Sequence, residues 1–144
     1  MNQIMVEGVR CFYDRQTVPL RPVTLLVGEN SSGKTTFLAL TRIAWDICQG
    51  PPLVDFNKDP FLLGAYDQIA SYRGGRAGRV RDFTIGVQLP VSIRLKSNYP
   101  YPLADAMTIT GRFAPREAQP KMYQWTLDLA PFRVEVDYGE SEDQ

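Results

Sequence analysis

Gly28-Glu29-Asn30-Ser31-Ser32-Gly33-Lys34-Thr35-Thr36 fits the pattern G-x-x-x-x-G-K-[ST], and that pattern dictates what must flank it. Such a loop needs a strand that delivers the chain and a helix that carries it away. Residues 22–27, Pro-Val-Thr-Leu-Leu-Val, are expected to form a short buried strand. Residues 37–49 are expected to form the helix, with a broad apolar stripe at Phe37, Leu38, Leu40, Ala44, Trp45, Ile47 and Cys48 suited to burial under a sheet. Gly50-Pro51-Pro52 stops it. In this pattern the glycines let successive backbone N–H groups turn inward as an anion nest, and the helix adds its N-terminal partial positive charge. The amides of Asn30, Ser31, Ser32, Gly33, Lys34, Thr35 and Thr36 are the expected phosphate cradle. Lys34 reaches the β- and γ-phosphates, and the Thr35 hydroxyl takes one position on Mg²⁺. The ligand implied is a nucleoside triphosphate.

The rest of the chain is strand-rich. Residues 4–12 and 17–20 look like two strands ahead of the loop, and residues 65–72 like a short helix or turn. From Asp82 the pattern alternates, over 83–89, 91–96, 106–113, 122–129 and 132–138. Turns rich in Pro, Asn and Gly separate these runs, as in an antiparallel meander with one solvated face. The fold class expected is α/β, leaning to α+β: a mixed or antiparallel sheet and one main helix after the loop. Nucleoside kinases and small GTPases alternate strands and helices along their length, and this chain does not. Residues 1–138 are expected to form one lobe, the loop unit over 1–50 and the basic loop with its strands over 60–138. Residues 139–144 are read as an acidic tail.

With 144 residues, a 44% hydrophobic share and a formal net charge of zero, the chain suits a soluble domain with a real core. No apolar run could cross a membrane and no signal-peptide pattern opens the chain, so a cytoplasmic location is the expectation. Cys11 and Cys48 are two isolated cysteines, too few for a disulfide framework or zinc site. Histidine is absent, which excludes His-based acid–base chemistry and His metal ligands within these residues.

Val9-Arg10-Cys11-Phe12 resembles the F-R-S-F opening of one group of proteins, and residues 18–38 continue the likeness through the G-x-N-S-S-G-K-[ST] form of the loop, with Asn30 two places after its first glycine. Residues 63–70, Leu-Gly-Ala-Tyr-Asp-Gln-Ile-Ala, are similar to the G-S-F-x-D-L-V segment that often follows. On these motifs the first part of the chain resembles the start of the SMC/ABC-type AAA ATPases, especially the OLD-like and RecF-like proteins of bacteria. The resemblance implies an ATPase head whose N-terminal lobe carries the loop and an antiparallel sheet. It implies ATP and Mg²⁺ as cofactors and a second head, in a homodimer or hetero-assembly, that completes the site. DNA or a nuclease or other effector subunit is the further partner implied, in DNA repair or phage defence, with no membrane involved.

The sequence also departs from that group. No run of four apolar residues ends in Asp-Glu, Ser71-Tyr72-Arg73-Gly74-Gly75 is not a signature segment, and the switch histidine has no counterpart. ATP hydrolysis is therefore expected only in a complete or dimeric assembly. Tyr13, or Phe12 beside it, is a candidate for stacking on adenine, the alternative being an ordinary core or surface aromatic. Gln68 is a candidate contact to water or Mg²⁺. Arg73, Arg76, Arg79 and Arg81 are candidates for phosphate or nucleic-acid contact, or simply a solvated basic loop. Two other readings stay open: a small P-loop kinase complete in itself, and a degenerate loop in an interaction module.

Overall fold

The computed structural model describes residues 2–50, 54–75, 78–91 and 105–139. Six strands form one sheet: β1 (Asn2–Glu7), β2 (Gln16–Leu20), β3 (Phe83–Pro90), β4 (Ala106–Arg116), β5 (Gln119–Leu129) and β6 (Phe132–Asp137). Their order is β2-β1-β3-β4-β5-β6, and every ladder is antiparallel. The expected meander is present, joined to the two N-terminal strands through the β1–β3 pairing. Of the strand expected at 91–96, Val91 is described and lies outside any strand, while residues 92–96, the tail at 140–144, Arg76, Pro51 and Pro52 lie outside the described residues. Among the described residues no helix is long and apolar enough to cross a membrane.

Alternation decides which face is covered. Ile85, Val87, Ile109 and Phe113 turn inward and are buried, whereas Thr84, Thr108, Thr110 and Arg112 line a groove of about 810 Å³ on the other face. Against the inward face lies α1 (Lys34–Cys48), which buries Phe37, Leu40, Ile43, Ala44 and Ile47, spaced at three and four residues. Gly111 allows this close approach, because a Cβ there would stand 3.3 Å from Ile47 Cδ1. The Trp125 indole N–H donates to the Ile47 carbonyl at 3.1 Å and ties the end of α1 to β5. A cluster of Phe56, Tyr66, Phe83 and Phe113 closes the core, with ring centroids 5.1 to 5.7 Å apart. Tyr66 comes from the single-turn α2 (Tyr66–Ile69).

Three expectations need correction. The strand expected over 4–12 ends at Glu7, because Gly8 (φ 77°) and Arg10 (φ 44°) turn the chain and leave Val9 and Phe12 in isolated bridges. Leu38 and Trp45 do not join the buried stripe; they are 47% and 66% exposed. Seven residues apart, they make a line of their own on the outer side of α1, where no second layer lies against them among the described residues. Residues 22–27 form no strand either. Val23, Leu25 and Val27 are 78%, 82% and 92% exposed, while Leu26 leans on the core. Apolar composition predicts a strand, but a strand exists only through a neighbour that accepts its ladder hydrogen bonds. None of the six strands lies beside this segment.

Candidate functional site

The loop after residue 27 is built on two left-handed residues, Ser31 (φ 66°) and Gly33 (φ 90°), which coil the chain tightly before α1 starts. Between them the Ser32 N–H donates to the Glu29 carbonyl at 3.3 Å. The hydrogen bond from Phe37 N–H to the Gly33 carbonyl, 2.8 Å, opens the helical ladder. No side chain caps Gly33 and no acid occupies the first turn. The amides of Lys34, Thr35 and Thr36 thus stand ahead of the ladder at the positive end of a four-turn helix, an arrangement that attracts anions.

Lys34 arches back over the loop. Its ammonium donates to the Gly28 carbonyl at 2.8 Å, the Glu29 carbonyl at 2.6 Å and Ser32 Oγ at 3.3 Å. In front of it opens a cavity of about 500 Å³ lined by Asn30, Ser31, Gly33, Lys34, Thr35 and Thr36, with Arg10 and Cys11 on the far wall. That volume is within the range of small-molecule sites. Of the loop residues expected to meet phosphate, Ser32 alone lies off the cavity wall, turned onto Lys34. Two cations and no carboxylate line the cavity, so its electrostatics favour a polyanion.

Arg10 is the site residue that sequence reasoning missed. Held at φ 44°, it donates from Nη1 to Thr36 Oγ1 (3.0 Å), from Nη2 to the Leu63 carbonyl (2.9 Å) and from Nε to the Gln68 carbonyl (3.1 Å). Its own carbonyl accepts from the buried Ser71 hydroxyl at 2.7 Å. One planar guanidinium thereby links the first turn of α1 to Leu63 and Gln68, and the Arg10 carbonyl adds Ser71. The partners lie up to 61 residues away in sequence. The one sequence signal for it is its position in the F-R-S-F-like tetrad, which assigns it no role.

The remaining candidates lie elsewhere. Tyr13 lines the groove on the opposite face of the sheet, and the Arg73 guanidinium sits 3.5 Å from its ring centroid while pairing with Asp14 at 2.7 Å. Phe12 is the aromatic nearer the loop, 6.3 Å from Phe37 between centroids. Gln68 turns its side-chain oxygen to the Ala65 N–H at 3.0 Å, capping α2, and does not line the loop cavity. Arg79 donates to the carbonyls of Asp67 and Ala70 and lies over the Tyr72 ring. Arg81 lines the opposite groove. Among the described residues no cluster of three or more His, Cys, Asp or Glu could hold a metal ion. Thr35 is exposed and lines the loop cavity.

No protein family and no curated protein matches the sequence. The fold is similar to that of a solved chain from work on the structural biochemistry of ATP-driven dimerization and DNA-stimulated activation of SMC ATPases. The TM-score is 0.52 at 13% sequence identity, over 92% of this chain and 70% of that one. The likeness is one of fold: an SMC-ATPase-like arrangement of sheet and helix.

Proposed function

We propose that this chain is the ATP-binding lobe of an SMC/ABC-like ATPase of the OLD/RecF kind. The observation that carries the reading is the cavity at the start of α1. Its wall combines uncapped helix amides, Lys34 and Arg10 with no opposing carboxylate. A triphosphate supplies the charge this wall lacks, and Mg²⁺ bound with it would draw one ligand from Thr35. The amides from Asn30 to Thr36 orient the β- and γ-phosphates. The Lys34 ammonium exchanges its carbonyl partners for phosphate oxygens and so leaves the loop carbonyls it now bridges. Arg10 holds Thr36 in place and presents the second positive charge.

Hydrolysis belongs, in this reading, to a complete or dimeric assembly, because the sequence has no apolar strand ending in Asp-Glu and no signature segment. Two heads would close on the nucleotide, and that closure would be coupled to DNA or to a nuclease or other effector subunit in repair or phage defence. The fold likeness to an SMC ATPase supports the reading.

Calorimetry with Mg·ATP tests it. The wild-type chain binds in the micromolar range or more weakly, and Lys34→Ala largely abolishes the heat. Equal binding by the two proteins, or none by the wild type, overturns the assignment.

A further inference from the structure

Arg10 stands on the far wall of the loop cavity with its backbone in the left-handed region, at φ 44°. A residue other than glycine rarely takes that conformation, and it persists only where the surroundings fix it. Here one stretch of chain fixes it from both sides. The Arg10 N–H donates to the Ile69 carbonyl at 2.8 Å, and the Arg10 carbonyl accepts from Ser71 Oγ at 2.7 Å. Ser71 is anchored through its own backbone as well. Its N–H donates to the Gly8 carbonyl at 2.8 Å, and its carbonyl accepts from the Val80 N–H at 3.1 Å. The residue is 1% exposed and does not line the cavity.

We infer that Ser71 is a positioning residue for a nucleotide in the loop cavity and acts through Arg10, a role that rests on the nucleotide reading proposed above. With its carbonyl held, the Arg10 peptide keeps its left-handed turn, and the side chain leaves the backbone in a fixed direction. The guanidinium then meets Thr36 Oγ1 and the carbonyls of Leu63 and Gln68 together. Thr36 is buried in the first turn of α1, so the bond to it sets the far wall of the cavity against the helix amides. Ser71→Ala keeps the packing and removes the donor alone. The Arg10 carbonyl loses its partner, the left-handed backbone loses its brace, and the guanidinium is free to leave Thr36. A wall that must be ordered again on binding lowers affinity.

The test is calorimetry with Mg·ATP on the wild type, Ser71→Ala, Arg10→Ala and the double variant. Ser71→Ala is expected to raise Kd about tenfold, the loss of one hydrogen bond read as affinity. Arg10→Ala is expected to raise it at least as much, and adding Ser71→Ala to Arg10→Ala should change nothing further. That non-additivity is the signature of action through Arg10, which a residue merely supporting the fold would not show. Equal affinity of wild type and Ser71→Ala overturns the proposal, and so do effects that add in the double variant. Should Ser71→Ala fail to fold, Ser71→Cys, which keeps a weak S–H donor, takes its place in the same cycle with a smaller expected loss. Hydrogen exchange on the nucleotide-free chains reads the brace without a ligand. The serine variant is expected to exchange faster at residues 8–12 and in the first turn of α1, with wild-type protection kept in β3 to β5. Unchanged exchange at both places overturns the proposal. A wild type that takes up no nucleotide overturns the nucleotide reading instead, and the exchange comparison then decides whether Ser71 braces Arg10.

Discussion

Gly33 shows how narrowly the loop is specified at single residues. Its φ of 90° lies where an L side chain is strained, and a Cβ there would stand 2.6 Å from Cys11 Sγ. Gly33→Ala is therefore expected to cost about 1–3 kcal/mol of stability in urea unfolding. Adding Cys11→Ala should recover the steric part and leave the backbone part, so a complete rescue would contradict the strain argument. This glycine was legible from the sequence because the loop pattern itself demands it. Arg10 was not. Its role depends on Thr36, Leu63 and Gln68 being brought together by packing, and no local spacing encodes that meeting. Tyr13 and Arg73, separate candidates in the sequence, lie against each other, and Arg73 also pairs with Asp14.

At the scale of elements, local pattern and observed structure agree for the meander and the helix, whereas the strand expected over 4–12 stops at Glu7, where Gly8 (φ 77°) and Arg10 (φ 44°) turn the chain. The alternation of 83–89, 106–113, 122–129 and 132–138 becomes β3 to β6, and the helical stripe becomes α1. Residues 22–27 and the outer face of α1 carry equally good apolar patterns and stay uncovered. Sequence records the readiness of a segment to pair, not the presence of what it pairs with. The attachment of α1 to the sheet can be measured directly. Ile47 is fully buried, so Ile47→Ala is expected to cost about 2–5 kcal/mol. Trp125→Phe keeps most of the ring burial, loses the N–H···O bond to the Ile47 carbonyl, and should cost about 1 kcal/mol. Chemical denaturation reads both, and equal losses would mean that the hydrogen bond matters as much as the packing.

For the whole molecule, titration gives a signature of the closed core. Burial first, and then the neighbouring Asp82 carboxylate, pushes the Tyr66 hydroxyl up to about 12. Tyr123 is likewise pushed up to about 12, by burial, by its hydrogen bond to Asp82 at 2.9 Å and by that carboxylate's charge. Both start from an ordinary value of 10.0. A phenol whose folded pKa is raised stays protonated in the native state while the unfolded chain ionises. Its contribution is thus complete below pH 10 and lost as pH rises toward about 12. Thermal melts are expected to fall across that window, less steeply for Tyr123→Phe than for the wild type. An unchanged slope in the variant would remove Tyr123 from the account. The Arg112 guanidinium, 2.8 Å from the same Asp82 oxygen, works in the opposite direction on Tyr123.

Both tryptophans of the chain watch one helix. Trp45 stands on the outer side of α1, two-thirds exposed, and Trp125 reaches from β5 to the last turn of the same helix. The tryptophan fluorescence of the protein is accordingly an optical gauge of α1 and of its seat on the sheet, with one chromophore largely in water and one in a half-buried setting. Quenching by a soluble collider such as iodide sorts the two by accessibility. Any event that covers the outer side of α1 silences the first, and any event that loosens its hold on the sheet changes the second. The chain carries one dye on the element that begins at Lys34 and a second that reaches it from β5.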